Sequence, residues 1–213
     1  MKKVIFALFI LGVGSMFAAG QAANDIKKVE VFAGFSHSQV DTDNLYADSP
    51  DRVGFNGFNG SAVYNLNRYF GVKADVSGAY GSNKFTGNFD LGGTPYIVNV
   101  DSDNSLYNFL GGVQVKDNAR SGRLKPFAHA LIGAAHGRSK ITNFSCSPST
   151  VCAGVILPDE ASSETGWAGA FGGGLDVRLN NKIQIRAFQV DYNPTRLDAS
   201  TQHNVRFSTG IVF

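Results

Sequence analysis

The stretch RYFGVKADVSGAYG, residues 68–81, decides the fold. Phe70, Val72, Ala74, Val76 and Tyr80 fall at alternate positions, and Lys73, Asp75 and Ser77 fill the positions between them. A period of two is the signature of a β-strand whose faces meet different surroundings. The same alternation appears in KKVEVFAGFSHS at 27–38, where Val29, Val31, Ala33 and Phe35 oppose Glu30, Phe32, Gly34 and Ser36.

Outward from there the pattern predicts eight strands, near 28–38, 54–65, 69–80, 103–116, 124–138, 164–179, 182–192 and 203–213. The second, fourth and sixth connections are short, at Asn65–Arg68, Lys116–Leu124 and Asn180–Asn181, and the odd-numbered ones read as long and polar. An even strand number with short and long connections alternating is the layout of an outer-membrane β-barrel. FLGGVQVK at 109–116 aligns with FGGGLDVR at 171–178, both running toward a short turn with aliphatics on one face. In KIQIRAFQVDY at 182–192 the alternation breaks. One extra residue near Ala187–Phe188 restores Val190 and Tyr192 to the face of Ile183 and Ile185, so a β-bulge is expected there.

The 213 residues suit one domain, with 25 glycines, 43% hydrophobic and only 17% charged residues. Lys2 and Lys3, the apolar run Val4–Val13 and the small residues around Ala22 give the three zones of a secretory signal peptide, expected to span 1–22 and leave 23–213 as the barrel domain. Removing those two lysines from 19 basic residues leaves 17 against 17 acidic ones, too balanced for a nucleic-acid-binding surface.

Periodicity does not say which face is outside, since a soluble exported barrel binding an apolar ligand would show the same alternation. Three features favour the membrane. Aromatics sit near strand ends on the apolar face, at Phe70, Tyr80, Tyr107, Trp167, Tyr192 and Phe213, as interface girdles require. The other face balances Glu30, Asp75, Asp176 and Asp191 against Lys73, Arg178, Arg186 and Arg206, a set able to pair in a narrow lumen. Finally, HNVRFSTGIVF at 203–213 is an alternating strand that pairs with the first to leave no edge. An eight-stranded barrel has an interior that side chains fill, so no wide pore is expected.

NGFNGSAVYNLNRYFGVKADVSGAYG, the closing HNVRFSTGIVF and the strand layout make the chain resemble the small bacterial outer-membrane β-barrel proteins, the group that includes the OmpA transmembrane domain. The resemblance covers essentially the whole chain after residue 22. It implies an all-β, eight-stranded antiparallel up-and-down transmembrane barrel in the bacterial outer membrane, monomeric, with both termini on the periplasmic side. It also implies that the last strand is an assembly signal read by the barrel-inserting machinery, with Ile211 and Phe213 as its apolar end. The expected role is structural or a cell-surface interaction, through loops whose partner the family does not specify.

Catalytic and metal chemistry find little support in the sequence. His37, His129, His136 and His203 have no metal spacing, and His37–Ser38 and His136–Ser139 do not converge on the lipid side, so the alternative of a lipid-modifying enzyme is the weaker one. Phe171-Gly-Gly-Gly-Leu175 lacks the Gly-Lys-Ser/Thr of a phosphate-binding loop. No cofactor is expected. Cys146 and Cys152, in the longest loop of an exported chain, are expected to form a disulfide that stabilises the loop by about 2 kcal/mol. The long connections carry Asp41, Asp43, Asp48, Asp51, Asp90, Asp101, Asp103, Asp159, Glu160, Glu164 and Asp198 against Arg52, Lys84, Arg138, Lys140 and Arg196, 11 acids to 5 bases. That end of the molecule is acidic.

Overall fold

The computed structural model describes residues 26–41, 52–91, 93–119, 122–148, 161–197 and 200–213. The expected signal peptide lies outside them, as does Cys152. Eight strands, β1 (Val29–Asp41), β2 (Arg52–Asn65), β3 (Phe70–Leu91), β4 (Thr94–Lys116), β5 (Leu124–Ser147), β6 (Ser162–Arg178), β7 (Gln184–Leu197) and β8 (Ser200–Val212), form a closed antiparallel barrel in chain order.

Closure is made by the first and last strands. Phe32 to Gln39 run opposite Val212 to Val205, and the Phe213 and Val31 backbones exchange hydrogen bonds of 2.8 and 3.0 Å. No ladder is left open along this seam, as a backbone in hydrocarbon demands. Two of the short turns use the same device. Asn67 Oδ1 accepts from the amides of Tyr69 and Phe70, and Asn180 Oδ1 accepts from those of Lys182 and Ile183, all within 2.9 Å. An asparagine side chain bonded to the backbone two and three residues on mimics a turn.

The third and seventh connections are shorter than expected, and β5 runs further than expected, to Ser147. β3 and β4 pair continuously out to Leu91 and Thr94, with Gly93 at φ 86° in the bend, where a side chain would be strained. β7 and β8 likewise pair out to Leu197 and Ser200. Cys146 is therefore a residue of β5, opposite Val98, rather than of a loop. Serine, threonine and asparagine in these stretches read as loop, but they pair across strands: Ser82 Oγ donates to Asp103 (2.7 Å) and Thr86 Oγ1 to Asn99 (2.8 Å). At the expected bulge the register slips: Leu175 faces Phe188 while Asp176 faces Arg186, leaving Ala187 over. Ala187 and Phe188 both point outward, and Gln189 returns to the interior.

The outer wall is apolar. Val72, Val76, Phe109, Val113, Ile132, Phe171 and Ile211 are all exposed, and Lys73 and Asp75 between them are 1% exposed. Phe70 and Tyr80 mark the two ends of this sheath on one strand. Ten residues at about 3.3 Å each, tilted about 40° from the axis, span about 25 Å, the height of the apolar band of a membrane barrel.

Candidate functional site: the filled lumen and the long-connection end

The inward face forms two storeys. In the lower, near the short turns, Lys116 Nζ donates to Glu30 Oε2 (2.8 Å), Asp176 Oδ2 (2.9 Å) and Gln184 Oε1 (3.2 Å). Arg186 grips the same Asp176 through Nε (2.8 Å) and Nη2 (3.2 Å), with its guanidinium 4.2 Å from the ring centres of both Phe32 and Phe127. A cation between two aromatic faces, away from water, is attracted by both ring quadrupoles.

In the same lower storey, next to this cluster, Arg206 bridges two carboxylates. Nε and Nη2 donate to Asp191 Oδ2 at 3.0 and 2.7 Å, and Nη1 donates to Asp75 Oδ1 at 3.0 Å and Ser77 Oγ at 2.7 Å. Asn59 donates to both Asp75 oxygens (3.0 Å each), and Gln189 to Asp191 (2.6 Å). Lys73 Nζ lies 3.8 Å from Asp75 and 3.3 Å from His129 Nδ1. His129 Nε2 sits 3.0 Å from Asp191 Oδ1, close enough for attraction but outside hydrogen-bond geometry.

Glu30, Lys73, Asp75, Asp176, Arg186, Asp191 and Arg206 are all at most 3% exposed in this interior. Arg178 is the exception. It ends β6 half-buried and donates from Nη2 to the Gly122 carbonyl (3.3 Å), because the wall stops at its position and the side chain leaves for the turn. Lys116, a last-of-strand residue that the sequence places beside a turn, takes the lumen position instead. The four acids are thus matched by Lys73, Lys116, Arg186 and Arg206. The glycine run of β6 serves the same packing, since a Cβ at Gly172 would strike the Asp191 carboxylate and one at Gly174 would meet the Phe127 ring.

The upper storey was not legible in the sequence. Val40, Phe55, Ala79, Leu106, Leu110, Leu131, Ala135, Ala168 and Ala170 form a buried apolar cluster inside the barrel, with Val53 and Leu197 packed against it. Polar groups without a protein partner, Gln114, Ser36, Ser61 and Ser208 among them, sit in the remaining interior, where buried polar atoms ordinarily take ordered water.

At the long-connection end, three histidines face outward and bond neutral partners: His37 to Asn56 (2.8 Å) and Gln39 (2.7 Å), His136 to Thr165 (2.8 Å), and His203 to Tyr192. None of them has a carboxylate among these partners. No group of three potential metal ligands occurs among the described residues, and none of those residues is a free cysteine.

This architecture has a family. Residues 8–213 match the model of the outer membrane protein beta-barrel domain. The chain belongs to that family. Among solved structures, the family member resembles the attachment invasion locus protein Ail of Yersinia pestis in complex with the heparin analogue sucrose octasulfate, at 20% identity over 87% of this chain and 97% of that one, TM-score 0.53. It also resembles Neisserial surface protein A, at 12% identity over 89% and 98% of the two chains, TM-score 0.50. At these identities the likeness establishes the fold, an outer-membrane eight-stranded barrel. No curated protein matches.

Proposed function

We propose that the protein is a closed, monomeric outer-membrane scaffold that presents its long-connection end at the cell surface for interaction and conducts no ions. The filled lumen carries this reading. Four acids and four bases are paired across the lower storey, and an apolar layer lies above. Hydrophobic constrictions block ions by excluding water. What remains for function is the surface, above all the segments joining β1 to β2 and β5 to β6 and the extended β3–β4 hairpin.

Several parts of the proposal concern biogenesis and the loops. Residues 1–22 are removed on export; Ile211 and Phe213 are read by the assembly machinery; Cys146 pairs with Cys152. Labelling the unreduced protein with an alkylating reagent tests the last, since two modified thiols would refute it. The partners of the outward histidines favour a non-enzymatic wall over a lipid-modifying enzyme, and the apolar exterior favours lipid over a soluble ligand-binding barrel. The polysulfate in the Ail complex is not carried over, because 11 acids against 5 bases make this end repel a polyanion.

The test has two arms. Planar-bilayer recordings of the folded protein are expected to show no steady conductance. Whole-cell binding screens comparing the protein with versions lacking 42–51 or 149–160 are expected to find partners lost with the loops while the barrel still folds. Stable channels, or partners indifferent to both deletions, would refute the proposal.

A further inference from the structure

At the short-turn end a row of cations follows part of the rim. Arg178 N donates to the Arg123 carbonyl at 2.8 Å, which sets the two arginines opposite each other where β6 meets β5. The β6–β7 turn is closed by Leu179 N donating to the Ile183 carbonyl at 3.1 Å. Lys182 lies in that turn, and its own carbonyl accepts from Lys27 Nζ at 3.2 Å. Lys28 follows along the chain. The arc Arg123, Arg178, Lys182, Lys27, Lys28 is thus continuous through backbone contacts. Among the described residues of the short turns Asp117 is the sole acid, and Arg68 of the β2–β3 turn forks onto it at 2.8 and 3.0 Å. The lumen acids nearest this end, Glu30 and Asp176, are engaged by Lys116 and Arg186.

Lys28, Arg123 and Lys182 are exposed, and their side chains take no ion pair or hydrogen bond among the described residues. Lys27 Nζ is held on a neutral carbonyl beside another lysine. Like charges set directly opposite across a ladder destabilise it, so an external anion would offset a cost built into this rim. Depth and surroundings say which anion. Arg123 adjoins Leu124, Lys28 adjoins Val29, and Lys182 lies three residues from both Leu179 and Ile185, all four apolar side chains being exposed. At about 2.5 Å of axial rise per residue of a tilted strand, the charges stand within about 8 Å of the hydrocarbon edge. That is the phosphate layer of a leaflet, and turns this short do not project past it. A water-soluble polyanion would meet the charges and leave the apolar sill bare. A phospholipid covers both, with phosphate on guanidinium and ammonium groups and acyl chain on leucine and valine.

We infer that the short-turn rim from β5 through β6 and β7 to β1 binds the headgroups of anionic phospholipids in the leaflet at that end. The inference rests on the membrane placement of the barrel. Arg123 and Arg178 hold one phosphate, Lys27, Lys28 and Lys182 hold a second, and Leu124, Leu179 and Val29 receive the chains below. A zwitterionic phospholipid brings its own ammonium group into the arc and is the poorer ligand.

The experiment uses the detergent-folded mature protein, its folding checked by the shift in gel mobility on heating. Native mass spectrometry then measures retention of phosphatidylglycerol and of phosphatidylethanolamine, with phosphatidylglycerol expected to be held more tightly. Each cation near anionic headgroups contributes about fivefold in affinity, so R123Q/K182Q, which disturbs no side-chain contact, is expected to weaken retention of phosphatidylglycerol about 20-fold. The charge-keeping R123K/K182R should retain it. The control R52Q/K84Q removes equal charge from the long-connection end and should leave retention unchanged. Polyglutamate added at an equal concentration of charge should not displace the lipid. Equal retention of phosphatidylglycerol by R123Q/K182Q and the unaltered protein, equal retention of the two lipids, or displacement by polyglutamate would overturn the inference. Failure of the membrane reading itself shows separately, as a mature protein that is folded and soluble without detergent.

Discussion

Replacing Arg206 with methionine keeps the bulk of the side chain and removes the charge that joins Asp75 to Asp191. Leaving a buried charge without its partner costs about 3–5 kcal/mol. The structure sets this case at the lower end. Asp75 retains two Asn59 hydrogen bonds of 3.0 Å and Lys73 at 3.8 Å, and Asp191 retains Gln189 at 2.6 Å. The expected loss is therefore about 3 kcal/mol. Charge balance predicts the rescue. R206M leaves four lumen acids against three bases, and adding D191N restores three against three, which should recover about 2 kcal/mol of the loss. The assay is urea unfolding in detergent, followed by the fluorescence of Trp167, the single tryptophan of the chain, which lies exposed on the outer wall. A loss below about 1 kcal/mol for R206M, or no recovery in the double variant, would show that the network is not the balanced plug described.

Other perturbations test the wall, the bulge and the closing strand. V76R places a charge at mid-height on the lipid face and should destabilise the inserted barrel by about 2–4 kcal/mol, measured by the same unfolding; a cost near zero would mean that the faces are reversed. Deleting Ala187 removes the extra residue and leaves Arg186, Phe188 and Gln189 in strict in–out–in alternation, so both polar side chains stay in the lumen. The folded gel mobility should persist with a loss below about 2 kcal/mol, and a barrel that no longer folds would refute the reading of Ala187 as the bulge residue. Deleting Phe213 takes away one exposed aromatic and one pair of backbone bonds to Val31. Assembly in cells should fall far more than folding in detergent, and equal effects would remove the assembly-signal reading.

Strand number, order, facing and bulge were legible because each outward strand face must be apolar over the same height, which writes a period of two eight times. The extensions of β3, β4 and β5 beyond the apolar band were not, since both faces there meet water or protein and no lipid enforces alternation. Leu106, Leu110 and Leu131 were missed for a related reason. Each is flanked by other apolar or small residues, as in Ala130-Leu131-Ile132, so the inner and outer faces look alike where the upper storey is dry. Arg178 and Lys116 exchanged places because alternation gives the face but not the reach of a long side chain at a strand end.

The central claim is that the apolar face of the wall meets lipid over the band between Phe70 and Tyr80. A nitroxide attached to a cysteine at position 76, with a second protein labelled at Thr86 beyond the girdle, measures this in reconstituted vesicles. At position 76 the label should relax readily with dissolved oxygen and poorly with a water-soluble nickel chelate, as expected of hydrocarbon, and at position 86 the order should reverse. A label at position 76 that is open to the nickel chelate would contradict the account.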